Sequence, residues 1–370
     1  MSSRRLRIVH CFRSPVGGIF RHVRDLAEAH AAEGHEIGIV CDSSTGGELE
    51  ERYFDSIAHC LTLGVHRVRM QRHIGPGDLG AAWRTFREIR QMAPDILHGH
   101  GSKGGAYARL FGTMMRARGQ KLARLYSPHG GVLHYDRDLM GRGLFFLERR
   151  MDRLTDHMIF VSRYEQDMFA QKIGAPRAPT SIVYNGLRAA EFEDVALAPQ
   201  AADFLYIGMM RDLKGPDIFI DAIAQAARRV SAVMVGAGDD LHKYRAQVER
   251  LGLSDHVTFH DPMPARQAFA LARNIVVPSR AEAMPYIVLE ALAAGKPMIA
   301  TAVGGIPEIF EGRTELLIRP DAAEMAERMG QLLADETAYA ARMPPREELR
   351  QRFGADVMAR EIEAVYHRLV

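Results

Sequence analysis

Two carboxylates stand out in the stretch SRAEAMPYIVLEALAAGKPMIATAVGGIPEI, which runs from Ser279 to Ile309: Glu282 and, eight residues on, Glu290. Glu290 is the one charge in the apolar run 286–294, and a carboxylate on a greasy helix needs donors or a cation. Lys296 or Arg280 could satisfy it, and so could the hydroxyls of a ligand. Glu282, Met284 and Pro285 precede that helix, so the acids lie about two turns apart at about 1.5 Å per residue and could grip a ligand spread along the helix start. Gly304 and Gly305 would let a ligand approach the backbone closely. Upstream, the turn RDLKG holds Arg211 and Lys214 where a strand gives way to a helix, a place where cations and helix N–H groups meet a diphosphate together. His129, in PHGG, could donate to a hydroxyl or serve as a buried structural histidine. His98 and His100 alternate along a strand and share a face, but no third ligand follows locally, and no metal site is expected.

These residues need elements to carry them. Residues 6–12, LRIVHCF, form an apolar run of the buried parallel-strand kind, followed by the Gly17–Gly18 pair and a helical pattern through Ala32. EIGIVCD predicts the second strand and HCLTLGV the third; residues 79–92 predict an amphipathic helix closed by Pro94. GGAYARLFGTMMRARG reads as a basic helix with one solvated face, and KLARLYS as the strand that delivers His129. Residues 139–155 carry an apolar stripe beside arginines, suited to core packing, acceptor or membrane contact. Ser162 and Glu165 fit a capping box. The pattern loses its period after Asn185, so residues 1–185 form one domain, 186–202 a linker and 203–354 a second domain, with a final helix over 355–370. Pro285 and Pro307 suit first helical positions, and Gly295 stops the helix between them. Gly17 and Gly18 by themselves are a weak phosphate signal, since GxGxxG is absent.

The ordered string SxxE-x-M-P, Glu290, AxGKP and GGIPE resembles the donor-sugar signature of the retaining glycosyltransferases of family 4. The resemblance implies an α/β fold of the GT-B type, two Rossmann-like β/α/β domains facing each other across a cleft, with the last helix crossing back to the N-terminal domain. It implies that Glu282 lies near the donor sugar and phosphate, that Glu290 holds the ribose hydroxyls, and that His129 contacts the transferred sugar. It also implies that Gly17 and Gly18 face the diphosphate and that the loop Asp261 to Pro264, with Met263 and Pro264, neighbours the base. The family's arginine commonly follows the glycine of its lysine turn directly; here Met209 stands there and Arg211 comes two residues later. The activity so implied is metal-independent transfer of a hexose from a UDP- or GDP-type sugar to an acceptor hydroxyl, with no cofactor. A GT-B nucleotide-sugar 2-epimerase and a non-catalytic nucleotide-sugar binding protein are the alternatives.

Composition narrows the setting. At 370 residues, 47% hydrophobic and 25% charged, the chain can build two cores of ordinary size. Cys11, Cys41 and Cys60 are odd in number and lack CxxC spacing, which fits a reducing cytoplasm. The start has no apolar run long enough for a secretory signal, and no run of about 18 apolar residues predicts a membrane span. Lys and Arg outnumber Asp and Glu by 27 to 19 in residues 1–185 and are outnumbered by 27 to 21 thereafter. The basic half suits a lipid-linked acceptor and the anionic face of a cytoplasmic membrane, as in lipopolysaccharide or exopolysaccharide synthesis. No basic cluster is interleaved with aromatics, which argues against nucleic acid.

Overall fold

The computed structural model describes residues 4–70 and 78–370, which divide into two compact units, 1–186 with 355–370 and 187–354. In the first, seven strands are ordered β3-β2-β1-β4-β5-β6-β7. They are β1 (Arg7–Phe12), β2 (Glu36–Cys41), β3 (Gly64–Arg67), β4 (Ile96–His100), β5 (Ala123–Ser127), β6 (His157–Phe160) and β7 (Thr180–Ile182), and every pairing is parallel. In the second, β8 (Ala202–Ile207), β9 (Ala232–Val235), β10 (Val257–His260), β11 (Ala272–Val277) and β12 (Met298–Ala300) follow the order β10-β9-β8-β11-β12, again all parallel. Parallel strands need crossover helices on the sheet faces, which is why the strands read as continuous apolar runs and not as alternations. Strand order reverses between β1 and β4 in one unit and between β8 and β11 in the other. Beyond the carboxyl ends of such strand pairs lies the crevice where open α/β sheets bind ligands.

Three local expectations change. HCLTLGV is not the third strand: residues Ala58–Cys60 form a 3-10 turn and β3 starts at Gly64 (φ +86°). Leu61 buries from that turn, which satisfies its apolar character without a ladder. The stretch 187–202 is part of the second unit and not a free linker. Leu187 N–H donates to Phe353 O at 2.7 Å, Ala198 N–H to Ala270 O at 2.8 Å, and the Arg266 guanidinium donates to Glu193 O and Asp194 O at 3.0 and 3.2 Å. Helix Gly101–Arg116 is not simply a solvated basic face. Arg109 is fully buried, stacks over the Tyr126 ring at 3.9 Å and pairs with the buried carboxylate of Glu148 on helix Leu139–Met151, one of the two bonds being 3.2 Å. A buried guanidinium is tolerable when its charge and donors are matched in this way. The same helix lies directly on the sheet, because a Cβ at Gly104 would fall 2.2 Å from Cys11 O.

The last helix, Ala355–Leu369, packs in the first unit against helix Gly17–Ala32, burying Met358, Ile362, Val365 and Tyr366. His30 makes a polar contact across it, donating Nε2–H to Ala359 O at 3.2 Å, so its buried Nδ1 keeps a bare lone pair. Burial lowers the His30 pKa from 6.5 to about 4. The unfolded chain therefore binds more protons between those two values, and stability falls as pH drops from about 6.5 toward 4, by up to about 3 kcal/mol for this group. Urea midpoints across that range are expected to decline, and His30→Gln to flatten the slope; equal slopes for the two proteins would contradict the assignment.

Candidate functional site

In the second unit the end of β8 runs into the turn 211–215, and the end of β11 into the loop 278–285. Backbone and side-chain bonds clamp the two together. Arg280 N–H donates to Leu213 O at 2.9 Å, while its guanidinium bonds Asp212 O at 2.6 Å and Asp217 at 2.8 and 2.5 Å. Gly215, at φ +67°, makes this possible, because a Cβ there would sit 2.1 Å from Pro278 O. The clamp delivers Lys214 Nζ to within 2.7 Å of both Glu282 carboxylate oxygens, and Ser279 Oγ donates to Oε1 at 2.6 Å. Thr301 Oγ1 in turn donates to Ser279 O at 2.6 Å. Glu282 is buried and Lys214 about a quarter exposed, so the ammonium closes the buried acid off at its open side. Gly304, at φ +61°, closes the floor: a Cβ there would lie 1.8 Å from Glu282 O.

Arg211 begins the turn, and its Nε is buried without a hydrogen-bond partner. An unmatched guanidinium N–H beside a lysine turn is a donor awaiting an anion. Glu290 is half-buried on helix Tyr286–Ala293. Arg280, which could have paired with it, is bound to Asp217, and Lys296 donates to Ala272 O at 3.1 Å. Met284 and Pro285 are buried at the helix entry, with Pro285 one residue ahead of the first helical position, and Gly295 (φ +70°) ends the helix. Pro307 stands second in the short helix Ile306–Ile309, next to Gly305. Met263 and Pro264 are half-buried in the loop before helix Ala265–Phe269.

In the first unit Gly17 and Gly18 are exposed at the start of helix Gly17–Ala32, just past β1, and Gly17 has φ +71°. His129 follows β5 in a left-handed conformation, φ +50°, uncommon for a residue with a Cβ. Glu165 holds its turn: Oε1 accepts from Gly130 N–H at 2.5 Å and Oε2 from Val161 N–H at 2.9 Å, while Glu165 N–H donates to the helix-capping Ser162 Oγ at 3.1 Å. Burial nevertheless raises the Glu165 pKa to about 7.

His129 is not alone. Its Nε2 lies 3.0 Å from His100 Nδ1, and His100 Nε2 lies 3.0 Å from His10 Nδ1. His98 is held at both nitrogens, by Tyr366 OH at 2.7 Å and Ser127 Oγ at 2.9 Å, and His22 Nδ1 contacts Asn185 Oδ1 at 3.1 Å. Burial drives the pKa of His22 down to about 4 and those of His10, His98, His100 and His129 well below the usual range, so the cluster is neutral at pH 7. Only the His98–His100 pairing on one face was legible locally. Their partners His10, His22, Asn185 and Tyr366 arrive from another strand, two helices and the loop after β7, and Ser279 was visible as part of SxxE without its bond to Glu282.

The C-terminal residues 201–335 match the family model "Glycosyl transferases group 1", and residues 16–191 match "Glycosyltransferase Family 4". The D-inositol 3-phosphate glycosyltransferase of Nocardia farcinica is 30% identical over 212 residues, covering 51% of this chain and 47% of that protein. The chain thus spans about half the length of this relative. That of an Arthrobacter species is 26% identical over 329 residues, covering 82% and 78% respectively. Among solved structures, Anabaena Alr3699/HepE in complex with UDP and glucose superposes with a TM-score of 0.81 at 18% identity, covering 98% of this chain and 100% of that one. The fold is therefore the GT-B type, with two Rossmann-like units.

The steric argument at Gly304 is directly testable. Gly304→Ala must displace the Glu282 backbone and is expected to cost about 1–3 kcal/mol. Gly330→Ala, in helix Ala322–Ala334 of the same unit, adds a methyl to open space and should gain up to about 1 kcal/mol. Denaturant unfolding of the two variants checks the contrast, and equal effects would refute the close approach.

Proposed function

We propose that this chain, a family-4-like glycosyltransferase by its two family models and its GT-B fold, transfers a hexose from a nucleoside-diphosphate sugar to an acceptor hydroxyl with retention of configuration. The observation that carries the reading is the Lys214–Glu282 contact at the end of β8 and β11, with the unpartnered Arg211 Nε in the same turn. An ammonium has three donors. Two face Glu282, which fixes its position, and the third remains for an oxygen of the leaving diphosphate. Arg211 and the start of helix Pro216–Gln225 add fixed positive potential, which supports departure of the nucleoside diphosphate without magnesium or manganese. Glu282 orients the transferred sugar, and Glu290 takes the ribose hydroxyls. Attack comes from the face the leaving group departs, with the departing phosphate accepting the acceptor's proton. Alr3699/HepE, captured with UDP and glucose, favours a uridine nucleotide.

The acceptor is proposed to be membrane-borne, an intermediate of envelope polysaccharide assembly. Helix Leu139–Met151 turns Phe145 and Glu148 inward and presents Leu139 (90% exposed), Met140 (66%), Phe146 (57%) and Leu147 (49%) outward, with exposed Arg137, Arg142 and Arg150 beside them. An outward apolar stripe flanked by arginines suits the interface of an anionic bilayer. Among the described residues no helix is long and apolar enough to cross a membrane.

Lys214→Ala is expected to lower kcat by about 10²- to 10³-fold, as loss of an oxyanion-type donor does, while Glu290→Ala chiefly weakens UDP binding. Single-turnover transfer and calorimetry with UDP separate the two; unchanged turnover in the first, or unchanged affinity in the second, removes that residue from its role. The protein should co-sediment with vesicles containing phosphatidylglycerol more than with phosphatidylcholine alone, and a Leu139→Glu, Phe146→Glu variant should stay in the supernatant. Equal partition of variant and parent would exclude this helix as the contact.

A further inference from the structure

Among the described residues three groups bring metal-ligating atoms within 4.8 Å of one another: His10, His98 and His100; His22, His100 and His129; and His35, Glu363 and His367. Proton accounting separates them. His98 has both nitrogens engaged, by Tyr366 and Ser127. His35 accepts the Leu6 N–H at Nδ1, so its Nε2 carries the proton and points it at Glu363. Either ring could give a lone pair only by stripping a group outside its cluster of a bond, whereas the bond given up in the second group, between His100 and His129, joins two of the ligands themselves.

The second group differs. His22 donates Nδ1–H to Asn185 Oδ1, which leaves Nε2 with a lone pair that is buried and without a partner. This is the arrangement in which the far nitrogen of a metal-ligating imidazole is held by an oxygen acceptor, fixing tautomer and ring orientation. The His22 ring centroid lies 4.9 Å from that of His129 and 5.6 Å from that of His100, and His100 Nδ1 faces His129 Nε2 at 3.0 Å. Two ring nitrogens at that separation share one N–H···N bond, so the two lone-pair sites already point at a common position.

We propose that His22 Nε2, His100 Nδ1 and His129 Nε2 form a three-histidine site for a divalent transition-metal ion of the zinc class. All three rings can present these lone pairs while neutral. His100 then carries its proton on Nε2 and donates to His10 Nδ1, and His129 carries its proton on Nδ1; protons move within the rings and none is released. Imidazole nitrogen selects zinc, cobalt, nickel or copper over magnesium and manganese, so the site is distinct from any demand of the donor chemistry. Bonds of about 2.0–2.1 Å in a tetrahedron ask for about 3.3 Å between ligand nitrogens, which a rotation of the outer rings supplies. His129 is partly exposed where His22 and His100 are buried, so the fourth position lies on its side and is open to water or to a hydroxyl.

Cobalt(II) titrated into full-length protein, stripped with chelator and dialysed, is the test. One ion per chain is expected, giving intense visible bands characteristic of tetrahedral coordination that zinc abolishes. His129→Asn removes one ligand while keeping a residue type that tolerates the left-handed backbone, and His22→Gln removes a second. Each should weaken cobalt binding by at least the about 10- to 100-fold that loss of an outer partner costs, whereas His367→Gln should bind as the parent does. Absent bands, an octahedral spectrum of low intensity, or unchanged affinity in folded His129→Asn would overturn the proposal. The readout does not depend on transferase activity, so a protein that transfers sugar yet fails to bind cobalt refutes the metal site alone.

Discussion

The Lys214 ammonium rests on both carboxylate oxygens of Glu282, and much of the second unit is built to hold those two side chains at one point. They are 68 residues apart in the chain and reach each other because β8 and β11 are hydrogen-bonded neighbours whose carboxyl ends open on the same side. Two glycines set the separation. Gly215 lets the lysine turn press against Pro278, and Gly304 lets the following turn press against the backbone of Glu282. A buried carboxylate facing a lysine at hydrogen-bond distance loses less to desolvation than one left alone. Ser279 adds a neutral donor and is itself held by Thr301, so the acid is fixed by two donors.

The first unit solves a different problem with neutral groups. Five histidines lie near the ends of β1, β4 and β5 and the start of helix Gly17–Ala32, all driven below their usual pKa by burial, so the cluster carries no net charge at pH 7. Each imidazole offers one donor and one acceptor, and N–H···N contacts at 3.0 Å string His10, His100 and His129 into a row that sets the orientation of the outermost ring. Glu165 controls the same ring through the backbone, bonding the amide of Gly130 next to it. The strained conformation at His129 is therefore held by side-chain and main-chain contacts together.

Charge is used more sparingly in the frame. Arg109 and Glu148, both buried, join helix Gly101–Arg116 to helix Leu139–Met151. With Glu148, Phe145 and Gly141 facing inward, Leu139, Met140, Phe146 and Leu147 of that second helix face out. The exposed stripe is thus the other side of a buried ion pair, and one helix both anchors the frame and presents its surface.

Much of the frame was legible in the chain. Continuous apolar runs ending in glycine turns announced two parallel α/β units, because strands covered on both faces have no polar side to show. Glu282, Lys214, Gly304 and Gly305 were recognisable as types at set spacings, and Ser162–Glu165 as a helix start, since capping and turn chemistry act over a few residues. The fold itself was needed for what depends on contacts between distant segments. The 3-10 turn at Ala58–Cys60, the packing of 187–202 onto the second unit and the burial of Arg109 all reverse a local reading, each because a tertiary partner outweighs propensity. Residue type and local spacing thus singled out the candidate groups. Strand order, which no local pattern encodes, decided that Lys214 meets Glu282 and that His129 meets His100, because side chains far apart in sequence come within hydrogen-bond reach only where the sheet sets their strands side by side.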